Sequence, residues 1–224
     1  MVGPDTAELA AWKARWFVVA IRLSPIANCQ LRAAPSGRTS YRDLVESRVG
    51  AALVSLGRAL GTAGIPWQLG GSGLLHAMGL VDTVRDLDVV FPPEAMDPMT
   101  VVLREHTGVE PTFTARQEDG FVSGFRGRHE WDGVELDVTA GIALDYGGLV
   151  VRLPFSAGRE WMFGGEVIPL APLEQWLLIY RFHNPVRSRL LAPLVVDEAW
   201  ESLVTGLGLP RGFTGFRDSG RGQT

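Results

Sequence analysis

Three aspartates stand at spacings that suit metal-assisted chemistry. Asp86 and Asp88 flank Leu87 in the run Arg85-Asp-Leu-Asp-Val-Val, and Asp137 lies in Glu135-Leu-Asp-Val. Side chains alternate faces along a strand, so Asp86 and Asp88 share one face while Leu87, Val89 and Phe91 take the other. The later run repeats that parity, with Val134, Leu136 and Val138 apolar and Glu135 and Asp137 opposite. If the two strands are neighbours, three carboxylates converge. Carboxylates so close repel one another, and one takes up a proton unless cations neutralise them. With oxygen ligands only, the suitable cation is magnesium, or manganese. Two such ions can clamp the attacking and leaving oxygens of an in-line phosphoryl displacement.

A glycine turn, Gly70-Gly71-Ser72, precedes these strands. Backbone amides at a helix N-terminus point at an anion, and glycines let a phosphate approach the main chain; Ser72 adds a hydroxyl donor. Taken singly, a double glycine is more often a plain turn and Asp-x-Asp a solvated strand edge. The ordered set of glycine turn, paired aspartates and lone aspartate divides labour as nucleotidyl transfer requires.

The elements that must position these residues follow from periodicity. Ser40 stands three residues before Asp43 at capping-box spacing, and Leu44, Val45, Val49, Leu53, Leu56 and Leu60 form one helical stripe ending at Gly64. Residues 65–69 read as a buried strand. The glycine turn then leads into a short helix, Leu74 to Met78, with Ser72 as its N-cap. Arg85 to Phe91 is the second strand, and Asp97-Pro98 starts a helix reaching about His106. Asp132-Gly133 predicts a hairpin joining Phe121–Trp131 to Val134–Ala140. Leu149, Val151, Leu153 and Phe155 alternate as another strand, and Gly164-Gly165 turns a small hairpin. Leu173, Trp176, Leu177 and Tyr180 repeat at helical spacing until Asn184-Pro185, and a further helix spans about 195–204. The fold class is α/β (α+β), a mixed sheet flanked by helices with a C-terminal helical segment. Residues 1–42 form a poorly defined lead-in and 43–155 the catalytic domain. Residues 156–224 supply a hairpin, helices and a mobile tail.

The runs Leu69-Gly-Gly-Ser, Arg85-Asp-Leu-Asp-Val-Val and Glu135-Leu-Asp-Val resemble the DNA polymerase β-type nucleotidyltransferase superfamily, over roughly residues 43–183. The double glycine, the wide gap before the paired aspartates and the Pro172-Leu-Glu-Gln-Trp run look most like small antibiotic-type or toxin-type members. The resemblance implies that Asp86 and Asp88 bind both metals. It further implies that Asp137 binds the catalytic metal and assists deprotonation of an acceptor hydroxyl. Gly71 and Ser72 would hold the triphosphate, and Arg181 occupies the helix where such families present a basic residue to the nucleotide.

Composition sets the outer bounds. At 224 residues and 46% hydrophobic, the chain can bury a sizeable core without staples. Its single cysteine, Cys29, excludes an intramolecular disulfide and a cysteine-based zinc site, and a cytoplasmic setting is expected. No apolar run is long enough for a membrane span. A net charge of -4 gives no global attraction to nucleic acid. Lys13 is the sole lysine, so cationic contacts fall to arginines. Arg126 and Arg128 could meet an acceptor or a phosphate, but alternating in the hairpin they read rather as a solvated face. Trp176 and Tyr180 read as core, and the four histidines have no metal-ligand spacing. The expected partners are a nucleoside triphosphate such as ATP and a hydroxyl acceptor, either a small molecule or RNA. A nucleotide- or metal-binding regulatory module without turnover, such as one half of a toxin-antitoxin pair, is the alternative.

Overall fold

The computed structural model describes residues 47–115, 120–146, 148–156 and 158–210. Helix α1, Arg48–Thr62, is capped by Ser47, whose hydroxyl accepts from the Gly50 N–H at 3.1 Å. It buries the stripe Ala52, Leu53, Leu56 and Leu60. The Ser40–Asp43 cap lies outside the described residues, as do the lead-in before Ser47 and the tail beyond Pro210. A two-residue strand β1, Gln68–Leu69, runs into α2, Gly71–Ala77. Gly70, rather than Ser72, is the N-cap of α2, and Ser72 sits inside the first turn.

Strand β2, Leu87–Phe91, precedes a 3-10 turn and α3, Met96–Thr107. Asp97 falls within the first turn of α3 instead of capping it, because the Pro93–Ala95 turn feeds directly into the helix. Strands β3, Phe125–Trp131, and β4, Val134–Ala140, form the hairpin. Its turn residues Asp132 and Gly133 have φ of 50° and 74°, the left-handed pair that a two-residue hairpin turn requires. Strands β1 to β4 make one mixed sheet in the order β1-β2-β4-β3. The β2–β4 pair is parallel and β3–β4 antiparallel.

Two small hairpins follow, β5, Ala143–Tyr146, with β6, Leu149–Arg152, and β7, Glu160–Phe163, with β8, Glu166–Pro169. The second is joined to the main sheet through Ala171, whose N–H donates to the Leu69 carbonyl at 3.0 Å. Helices α4, Leu173–His183, α5, Pro185–Leu191, and α6, Asp197–Gly206, complete the described chain. Asn184-Pro185 ends α4 but also starts α5, since the Asn184 side chain accepts from the Arg187 N–H at 3.1 Å. One hydrophobic core runs from Leu53 through Leu87, Leu136 and Ile168 to Tyr180, without a break near residue 155. The apolar face of β2 and β4 closes that core: Leu87, Leu136 and Val138 are fully buried. The opposite face of the same two strands is left to the aspartates.

Candidate active site

The register of the parallel pair fixes the centre of the site. Asp88 and Asp137 are direct cross-strand partners, and Asp86 lies one step before β2 on the face of Asp88. All three line one cleft of about 260 Å³ with Gly71, Arg126, Arg128, Phe121, Trp176, Tyr180, His183 and Arg187. Each carboxylate has its own partner. The Ser72 hydroxyl donates to Asp86 Oδ1 at 3.3 Å. The Ser72 backbone N–H donates to Asp88. Arg126 donates from Nε to Asp137 Oδ1 at 3.2 Å and from Nη2 to Oδ2 at 2.6 Å.

The glycine turn is pressed against this acidic face. Gly71 has φ +51°, and a Cβ placed there would stand 1.6 Å from Asp88 Oδ2. A Cβ on Gly70 would overlap the Trp176 ring at 1.9 Å. Both positions therefore demand glycine: the first for its conformation and its approach to Asp88, the second for its approach to α4.

Electrostatics match this crowding. Burial first, then repulsion from Asp86 and Asp137, pushes the Asp88 carboxyl up to about 7, while Arg187 and the Ser72 amide pull it down. Burial likewise raises the Tyr180 phenol, opposed by Arg187. The Arg187 guanidinium lies 5.7 Å from the centre of the Tyr180 ring, at the wall of the cleft.

Gly71, Asp86, Asp88 and Asp137 are thus brought together, with Ser72 in hydrogen-bond reach of the aspartates and Gly70 at the adjoining helix start. Arg181 is not. Its guanidinium lies over the Trp200 ring at 4.1 Å, and it is absent from the cleft walls. The last turn of α4 points Arg181 toward α6, whereas the cleft receives Arg187 from α5. Arg126 departs from the solvated role expected of it, because its side chain is 17% exposed and paired with Asp137. Trp176 and Tyr180 are buried as core residues but also form a wall of the cleft. Arg181→Ala is expected to leave triphosphate binding within about twofold of the parent and to lower stability by about 1 kcal/mol, through loss of the Trp200 contact. Nucleotide titration and denaturant unfolding check the two halves.

Among the described residues no three acidic, histidine or cysteine side chains are already set around a single ion position. The donor chemistry nevertheless fits a hard divalent cation. Three carboxylates share the cleft, and burial, then repulsion from the other two, pushes Asp88 toward its neutral form, a cost that a divalent cation would offset.

No protein-family model matches the chain, and no curated protein matches its sequence. Among solved structures, a protein from Thermotoga maritima described as a nucleotidyltransferase superposes with a TM-score of 0.53. It is 18% identical, and the match covers 66% of this chain and 92% of that one. The antibiotic-resistance factor ANT(2″)-Ia in complex with adenylyl-2″-tobramycin matches with a TM-score of 0.46 and 15% identity, over 72% and 98% of the two chains. A lincomycin-bound lincosamide antibiotic adenylyltransferase matches with a TM-score of 0.41 and 14% identity, over 70% and 95%. The chain has the α+β fold of nucleotidyltransferases. No described helix is long and apolar enough to cross a membrane.

Proposed function

We propose that this protein is a metal-dependent nucleotidyltransferase that moves a nucleoside monophosphate from a nucleoside triphosphate to a hydroxyl acceptor, releasing pyrophosphate. The observation that carries this reading is the register Asp88–Asp137 on adjacent parallel strands, with the Gly71-Ser72 backbone packed against Asp88. Asp86, Asp88 and Asp137 would hold magnesium or manganese, which when bound supplies charge neutralisation for the phosphates and lowers the pKa of a coordinated hydroxyl. The residues do the positioning. Gly70 and Gly71 let the turn pack against Trp176 and Asp88, and Ser72, whose hydroxyl and amide donate to Asp86 and Asp88, would turn those donors to the triphosphate once a cation holds the carboxylates. Arg187, rather than Arg181, faces the phosphates from α5. Asp137 lies on the far strand from the glycine turn, where it receives the acceptor hydroxyl's proton or orients that hydroxyl for in-line attack.

The bidentate hold of Arg126 on Asp137 is the one feature that favours a binding module without turnover. Incubation with magnesium and labelled triphosphates, using RNA and small hydroxylated compounds as acceptors, separates the two. Pyrophosphate release together with label transfer is expected, whereas tight binding without product would leave the module. Arg187→Ala is expected to weaken magnesium-triphosphate binding about tenfold, by removing a charge-assisted phosphate contact of about 1.5 kcal/mol. Unchanged affinity would remove Arg187 from the site.

A further inference from the structure

Arg187 reaches the cleft from a helix that has little else to hold it. Of the seven residues of α5 only Leu191 is buried, while Val186 and Leu190 are 61% and 38% exposed. A helix this short falls below the roughly 12 residues at which an isolated helix becomes even marginal in water, so its packing and its ends decide whether and where it forms. Packing supplies one side chain. The start of the helix therefore carries a large share of its alignment.

That start is built on Asn184. Its backbone N–H donates to the Tyr180 carbonyl at 2.7 Å, closing the last turn of α4, and its carbonyl accepts from the Ser188 N–H at 2.9 Å, opening α5. Its side-chain oxygen accepts from the backbone N–H of Arg187 itself at 3.1 Å. The residue that presents the guanidinium is thus the one whose backbone the cap fixes. Tyr180, tied to the same joint through its carbonyl, sets its ring 5.7 Å from that guanidinium. Arg187 lines the cleft, and Asn184 lies outside its walls.

We infer that Asn184 is a positioning residue for the triphosphate: by capping α5 through the Arg187 backbone, it aims the Arg187 guanidinium into the cleft. The inference rests on the nucleotidyltransferase reading above and on the place that reading gives Arg187. Without the cap, α5 spends part of its time out of alignment, and affinity falls in proportion to the fraction of molecules left aligned. The loss is bounded by what Arg187 itself contributes.

Calorimetric titration of the full chain with magnesium and a non-hydrolysable triphosphate analogue tests this. Asn184→Ala is expected to weaken binding about fivefold, the population shift that loss of a typical N-cap produces and less than the loss expected of Arg187→Ala. Asn184→Ser, which keeps a cap acceptor, is expected to bind within about twofold of the parent, and Asn184→Thr, a weaker cap, to fall between serine and alanine. Serine and threonine carry the test if the alanine variant does not fold. In an Arg187→Ala background, Asn184→Ala is expected to cost no further affinity, because the cap acts on the ligand only through that side chain. A merely structural cap lowers Tm as well, but it leaves affinity alone or lowers it to the same extent with and without Arg187; either result overturns the inference. So does an order of affinities that does not follow capping strength. If the parent binds the analogue and Arg187→Ala binds it equally, Arg187 leaves the site and the inference falls with it. If the parent itself does not bind the analogue with magnesium, it is the nucleotidyltransferase reading that fails, and this inference with it.

Discussion

Asp88→Asn is expected to abolish magnesium-dependent triphosphate binding and, in the same variant, to raise thermal stability at alkaline pH. The two effects have one cause. Burial and the charges of Asp86 and Asp137 raise the Asp88 carboxyl to about 7 in the folded, metal-free protein, whereas the unfolded chain titrates near the ordinary aspartate value. The folded state therefore binds the extra proton between about pH 4 and pH 7. Its stabilising share is complete below the unfolded value and is lost as pH rises through 7. At pH 8 the parent carries a charged Asp88 among like charges, while the asparagine carries none. Melting in chelator is expected to show Tm rising by on the order of 5 °C for Asp88→Asn at pH 8, with the difference closing near pH 4. Proton release on magnesium binding is expected near neutral pH in the parent and not in the variant. Asp137→Asn should behave otherwise. Asp86 and Asp88 remain to hold a cation on the phosphates, so nucleotide binding persists, but single-turnover transfer falls by at least about 100-fold because the acceptor hydroxyl loses its carboxylate. Parent-like turnover in both variants would dismiss the site assignment, and unfolding of both would make the aspartates structural.

The aspartate cluster was legible because strand parity is a strict period of two. In both runs the acidic residues fall between Leu, Val and Phe, and only a parallel or antiparallel pairing with the apolar faces together lets Leu87 and Leu136 enter the same core. The arginines were harder to read, for two different reasons. Arg126 and Arg128 alternate as a solvated face would, yet the Asp132-Gly133 turn sets Trp131 opposite Val134 and so Arg128 opposite Asp137. Counting back from the turn would have found that pairing. Arg187 follows an Asn-Pro pair that also reads as a break. Asn at the cap with Pro at the first helical position is equally a start signal, and here the Asn184 side chain caps α5. The same rule misplaced the start of α3 at Asp97, where the 3-10 turn from Pro93 had already begun the winding. Local punctuation thus identifies that a boundary exists, while packing decides which side of it is helical.

Gly71→Ala is expected to damage function far more than stability. At φ +51° an alanine costs about 1 kcal/mol of backbone strain. Its Cβ would also stand 1.6 Å from Asp88 Oδ2, so either the turn or the carboxylate must move by an ångström or more. Displacement of that order in a positioned site costs about 100-fold in rate. Single-turnover transfer by Gly71→Ala should fall by that order, whereas denaturant unfolding should register a loss of only about 1–3 kcal/mol. Gly79 supplies the control: it has φ +69° but nothing within 4 Å of an added Cβ, so Gly79→Ala should pay the backbone strain and keep its rate. A double variant, Gly71→Ala with Asp88→Ala, removes the overlap from the other side. It should recover part of the stability lost by Gly71→Ala and none of the activity, giving a non-additive cycle in unfolding free energy. Additive stabilities would mean that Gly71 and Asp88 do not press on each other. Full activity in Gly71→Ala would mean that transfer does not need the close approach of the turn to Asp88.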